Sequence, residues 1–280
     1  GTLTTGVTVP VVGIVGAATA VGNEFEAQMS RVQAIAGATG EELNLLTEQA
    51  LQLGAQTSFS ATEAAEGMEN LASAGFTTEE IMEAIPGLLD LAASSGSELA
   101  TASEIAASAI RGFGLDASEA GHVADVFAEA AARTNAQTED MGNAMKYIAP
   151  VAHTMGISLE ETAAAIGIMS DAGIKGEQAG TTLRGALTRL TKPTNKMIGT
   201  MEELGISFYD NEGKMKSLTE IVKMLQDSMQ GLSDEEQQYA LTTLFGTESL
   251  SGMLALINRG SGDLADMTKS FEDCDGAAQD

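Results

Sequence analysis

One punctuation mark recurs along this chain and constrains its fold more than any other feature. A serine, threonine or aspartate is followed three residues later by glutamate at Thr39/Glu42, Ser60/Glu63, Thr77/Glu80, Asp116/Glu119, Ser158/Glu161, Ser217/Glu220 and Ser233/Glu236. This is capping-box spacing. The first side chain accepts a hydrogen bond from the backbone N–H three residues on, and the glutamate reaches back to the cap's own N–H. Phe59, Phe76, Leu115 and Ile157 each precede a cap, where an apolar residue can staple the entering chain to the first turn. A chain that marks helix starts this often is expected to be all-α.

The residues after the marks keep helical periodicity. Leu159, Ala163, Ile166 and Met169 form one stripe, and Leu183, Ala186, Leu187 and Leu190 form another. Gly173 and Gly176 bound the turn between them, and Lys192-Pro193 ends the second helix. Ile81, Ile85, Leu88, Leu89 and Ala92 stay in phase across Pro86, so a kinked helix is expected there and not a domain boundary. Phe76, Leu115 and Ile157 recur at about 40-residue intervals, with a further helix predicted between each pair, near Leu99–Arg111 and Thr138–Ala152. The predicted architecture is therefore a set of helical-hairpin repeats packed into a compact or solenoid-like domain. The period changes once. Ile206–Tyr209, the turn Asp210-Asn211-Glu212-Gly213 and Lys214–Lys216 predict one small β-hairpin that leans on the helices. The expected organisation is an apolar N-terminal helical segment over 1–36, the hairpin-repeat domain over 37–196, a short helix and the β-hairpin over 197–216, and a C-terminal helical segment over 217–280.

Charge excludes one class of partner. The chain carries 40 acidic against 14 basic side chains, a net charge of −26. Direct nucleic-acid binding needs clustered Lys or Arg against phosphate, and the basic residues here are scattered. Apolar residues make up 44% of the chain but aromatics only 4%, which predicts cores of small residues with closely approaching helices. The single cysteine, Cys274, forms no internal disulfide, and its neighbours Asp273 and Asp275 disfavour the thiolate.

Residues 1–23 contain no ionisable side chain. Their apolar run is shorter than a membrane span of about 20 strongly apolar residues and is broken by Pro10, Gly13 and Gly16. Gly13/Ala17 and Gly16/Ala20 have the small-xxx-small spacing that lets helices touch. Two readings stay open, a buried or partner-packed helix and a membrane-active segment. The chain starts at Gly1 and is read as a piece of a longer protein.

No constellation of catalytic type is present. The capping positions account for the best-placed glutamates. His122 and His153 each stand alone and are read as satisfied or solvated, since a zinc site needs three or four ligands. The Asp210–Gly213 turn lacks the alternating oxygen ligands of a calcium loop. No cofactor, metal or enzymatic role is expected. The 14 methionines fall mostly on apolar faces as core filling or as an adaptable partner surface. Arg184 and Arg189 flank the Leu183/Leu187/Leu190 stripe. They are expected to pair with carboxylates of a neighbouring repeat and are the candidate partner-docking residues.

The stretch DAGIKGEQAGTTLRGALTRLTKPT, Asp171 to Thr194, resembles the N-terminal core region of phage tail tape measure proteins. FEAQMSRVQAIAGATGEEL (Phe25–Leu43), ASAGFTTEEIMEAIPGLLDLAA (Ala72–Ala93) and LGISFYDNEGKMKSLTEI (Leu204–Ile221) match in the same order. The resemblance covers roughly Pro10 to Phe271. It implies a structural phage or prophage tail protein that sets tail length during assembly and assists DNA ejection. The implied partners are the tail tube protein, tail assembly chaperones, tail-tip or baseplate proteins and other copies of itself. The implied location is the virion tail, and the host cytoplasm during assembly. A ruler in a tube is expected to be extended, whereas these caps and short loops predict a compact helical unit. The rival from another class is a helical-repeat protein-binding module or secreted effector not linked to a phage tail.

Overall fold

Helices start where the caps place them. The computed structural model describes residues 9–279, with side chains from residue 22 onward. Among the described residues the chain is all-α, with fourteen α-helices, one 3-10 turn and no strand. Six of the seven marked boxes form with both hydrogen bonds, at Thr39, Ser60, Thr77, Asp116, Ser217 and Ser233. The backbone N–H of Thr39, Ser60 and Ser233 holds the carboxyls of Glu42, Glu63 and Glu236 below their ordinary pKa. An eighth box, Gln137 with Asp140, has no Ser, Thr or Asp at its cap and so carries no mark in the sequence.

The chain divides into two compact units, Gly1–Ile85 and Pro86–Asp280. The first holds α1 (Val9–Ala36), α2 (Gly40–Gln56), α3 (Ala61–Ser73) and the start of α4 (Thr78–Ser95). Pro10 lies in the first turn of α1, where its missing N–H costs no intrahelical bond. Helix α3 packs against both α1 and α2. Met29, Val32, Leu46, Ala50, Leu53, Ala64, Met68 and Leu71 are buried and form the core of this unit. Gln28 on α1 is buried as well and donates to Glu69 on α3. Helix α4 runs through Pro86 as expected, but the expectation of no boundary there is not met, since the division between the two units falls between Ile85 and Pro86.

The second unit continues with α5 (Leu99–Phe113), the 3-10 turn Ala117–Glu119, α6 (Ala120–Arg133), α7 (Thr138–Thr154) and α8 (Leu159–Asp171). It ends with α9 (Gly176–Thr191), α10 (Asn195–Leu204), α11 (Leu218–Ser228), α12 (Asp234–Phe245), α13 (Leu250–Arg259) and α14 (Ser261–Glu272). Helix α7 lies between α5 and α9, and α9 also meets α12. Helix α6 packs on α8, and α14 packs on both. Helix α10 rests on α12, while α11 and α13 pack on α14.

Small residues set these spacings. A Cβ added at Gly142 of α7 would fall within 3 Å of the Ile105 side chain on α5. One added at Gly180 of α9 would lie 2.8 Å from the Ala144 Cα on α7 and 2.9 Å from its carbonyl carbon. Backbone cannot move aside as a flexible side chain can, so glycine at 180 fixes how near α9 comes to α7.

The expected β-hairpin does not form. Residues 206–216 make a tight turn closed by a single antiparallel bridge between Tyr209 and Met215. Two backbone hydrogen bonds cross the turn, from Asp210 N–H to the Lys214 carbonyl at 2.8 Å and from Lys216 N–H to the Phe208 carbonyl at 2.9 Å, and the pairing goes no further. Asp210 Oδ1 tightens the turn by accepting from the N–H groups of Glu212 and Lys214, each at 2.9 Å. Three residues further, Ser217 already caps α11, which leaves no length for a second strand. The turn does lean on the helices. Phe208 meets Phe245 edge to face at 5.9 Å, and the Tyr209 hydroxyl donates to the Leu190 carbonyl.

Gly180→Ala is expected to lower unfolding stability by about 1–3 kcal/mol through overpacking. Gly199→Ala in α10, whose added carbon meets nothing within 4 Å, is expected to raise stability by up to about 1 kcal/mol through helix propensity. Urea unfolding of the two variants checks this, and a loss of equal size in both would remove the close-approach argument.

Candidate functional site

The polar side chains that sequence reasoning singled out are spread over the second unit, and the fold uses most of them on helix ends. Arg189 leaves α9 and donates from Nε to the Leu244 carbonyl at 3.3 Å and from Nη2 to the Thr243 carbonyl at 3.1 Å. These carbonyls belong to the last turn of α12, where a cation meets both unfilled acceptors and the negative end of the helix dipole. Arg184, one turn earlier, is exposed and stands over the Tyr147 ring of α7 at 5.7 Å. Neither arginine pairs with a carboxylate among the described residues; a carbonyl pair and an aromatic face take that place. The backbone of α1 is helical at Gly13, Gly16, Ala17 and Ala20, but their side-chain surroundings lie outside the described residues.

Ser158/Glu161 is the one marked box that closes by half. Ser158 accepts from the Glu161 N–H, yet the Glu161 carboxylate does not return to Ser158. It reaches instead to the Thr219 N–H at 3.0 Å, in the first turn of α11. Burial pushes the Glu161 carboxyl above its ordinary pKa, against the lowering effect of the Thr219 and Leu218 N–H groups. A mark that looks local therefore joins α8 to a helix 58 residues away.

Asp125 was not singled out at all. It lies in the apolar run Val123-Ala124-Asp125-Val126-Phe127 of α6 and is buried. A carboxylate inside such a run is a legible signal, because burying it demands donors. The donors come from the C-terminal turn: Gly276 N–H and Ala278 N–H, both at 2.8 Å. Beside it, His122 Nε2 lies 2.7 Å from Glu160 of α8, and Nδ1 lies 3.5 Å from Asp275 of the same turn. Hydrogen bonding to Glu160, and then to Asp275, raises the His122 pKa, and His122 in turn lowers that of Glu160. Cys274 closes the cluster. Its thiol donates to the Phe271 carbonyl, and burial with Asp125 and Glu129 nearby pushes its pKa up to about 12. His153, the other histidine, has its ring against Gly114 at the end of α5.

No group of three or more His, Cys, Asp or Glu among the described residues is arranged to hold a metal ion. No single described helix is long and apolar enough to cross a membrane. The polar cluster in the N-terminal half of α6 positions chain segments, as Arg189 and Glu161 do elsewhere.

These features define an all-α scaffold whose buried polar groups join helix ends to distant parts of the chain. The chain belongs to the phage-related minor tail protein family, whose sequence profile matches residues 47–246. It is 62% identical over 278 residues to the tape measure protein of Pneumococcus phage Dp-1, covering 99% of this chain and 24% of that protein. It is 34% identical over 260 residues to the probable tape measure protein of Escherichia phage P2, covering 91% of this chain and 32% of that one. The chain thus spans about a quarter to a third of the length of these relatives.

Two pH effects follow from the site. His122 has a raised folded-state pKa, so its contribution is complete below the unfolded value near 6.5 and is lost as pH rises through the folded value. His122→Gln is expected to lower the melting temperature more at pH 6 than at pH 9, and an equal loss at both pH values would contradict the pairing. Glu161 is an acid with a raised pKa, so its ionisation costs stability as pH climbs above its ordinary range. Glu161→Gln keeps an acceptor for Thr219 and is expected to match or exceed the parent in melts above neutral pH. Glu161→Ala leaves that N–H unpaired and is expected to lose about 1–3 kcal/mol; a Gln variant as damaged as Ala would refute the account.

Proposed function

We propose that this chain is part of a phage or prophage tail tape measure protein, a structural protein that sets tail length during assembly and assists DNA ejection. The identity of 62%, kept across 99% of the chain, to a protein of that name carries the reading. On this reading its place is the virion tail and, during assembly, the host cytoplasm. Its partners are the tail tube protein, assembly chaperones, tail-tip or baseplate proteins and other copies of itself, and it has no enzymatic role.

The physical features agree with such a role. The buried polar groups described above join helices to distant segments of the chain. Successive packing of α5, α7 and α9, with α6 on α8, supports a reading as stacked helical hairpins. Arg184, exposed above Tyr147, stays available for docking, whereas the Arg189 guanidinium is already engaged. The small-residue run Gly13, Gly16, Ala17 and Ala20 is the segment proposed to pack on a partner or contact a membrane.

The test is a ruler experiment in a phage that encodes this chain within its tape measure gene. Removing about 100 helical residues from the encoded protein outside residues 47–246 is expected to shorten the tail by about 150 Å, at 1.5 Å per helical residue. Electron microscopy of the tails reads the result. Tails of unchanged length would overturn the assignment.

A further inference from the structure

Helices α10 and α12 enclose a groove of about 350 Å³ on the surface of the second unit. Thr200, Glu203 and Leu204 line it from α10 at i, i+3 and i+4, one face of that helix. Leu232 closes one end, and Glu235, Glu236, Tyr239 and Ala240 supply the other wall. The base is apolar and the rim is acidic. Tyr239 is 58% exposed, which is unusual for a large ring in a chain this poor in aromatics. The Lys196 ammonium stands 4.8 Å from the centre of that ring and orients it.

The carboxylates decide what fits. Glu236 is engaged by its own cap, Ser233. Glu203 and Glu235 are exposed and take part in no ion pair among the described residues. A second copy of this chain, at net charge −26, would bring carboxylates onto carboxylates, and a nucleic acid would bring phosphates. An occupant that gains on both terms has an apolar anchor for Leu204, Leu232 and Tyr239 and a cation beside Glu203 and Glu235. A groove between two short helices suits an amphipathic helix with anchors at i, i+3 or i+4.

We propose that the α10/α12 groove docks a basic amphipathic helical segment of another protein, with an aliphatic or aromatic anchor seated against Tyr239 and Lys or Arg paired with Glu203 and Glu235. The inference does not rest on the tail assignment, since it uses only the shape and charge of this surface. The experiment is selection of short peptides from a random display library on the complete chain, followed by fluorescence titration of the enriched peptides. Enriched peptides are expected to combine Leu, Phe or Met anchors at helical spacing with Lys or Arg. Their affinity should fall by about tenfold or more in Glu203→Lys/Glu235→Lys and in Tyr239→Ser, with strong salt dependence. Glu41→Lys/Glu48→Lys, exposed positions on α2, makes the same change of net charge and is expected to leave binding near the parent value. Failure to enrich any peptide whose binding depends on the groove, enrichment of peptides without basic residues, or equal weakening by the α2 control would each overturn the proposal.

Discussion

Every helix ends with backbone groups that have no partner within it, and a fold made of short helices meets this problem at every turn. The chain answers it in two ways. Local answers come from the capping boxes, in which a side chain three residues away completes the first turn. Distant answers come from Glu161 at the start of α11 and Arg189 at the end of α12, and Asp125 does the same for N–H groups of the turn that follows α14. The distant ones tie elements together as well as satisfying them. Removing such a side chain would orphan a helix end and also release a segment. The glycine contacts act alongside, since α9 approaches α7 closely only because residue 180 has no Cβ.

The local answers were legible in the sequence, whereas of the distant ones only Asp125, a carboxylate in an apolar run, carries a signal, and that signal does not name its partner. A box needs only two residue types three positions apart, so six of the seven marks were read correctly. Ser158/Glu161 shows the limit. Its spacing is right, yet the carboxylate finds a better donor in the first turn of α11, a choice that depends on tertiary packing. Arg189 was expected to seek a carboxylate because the chain is so acidic. The nearest acceptors were instead two helix-terminal carbonyls, which carry no mark in sequence. The β-hairpin stays a single bridge for a different reason: Ser217 caps α11 directly after Lys216, so the second arm ends after two cross-turn backbone bonds.

The phage-tail resemblance and the physical reading answer different questions. Periodicity and caps led to helices, an apolar core and the absence of an evident reaction centre. Family membership rests on the profile match over residues 47–246, which spans nearly half of the first unit and most of the second, and on the two tape measure relatives. The acid excess belongs to both accounts. It disfavours phosphate, and at the α10/α12 groove it is left in place by side chains that the fold does not otherwise employ.

The C-terminal turn gives the molecule a built-in reporter. Cys274 is the sole thiol of the chain, and it is buried against the same turn that Asp125 and His122 hold to α6. A thiol pushed this far from ionising reacts slowly while it is covered. Its uptake of an alkylating reagent therefore reports whether the turn covers it. One atom of sulfur, placed by chance or need at this point, makes the latch measurable without adding a label to the protein.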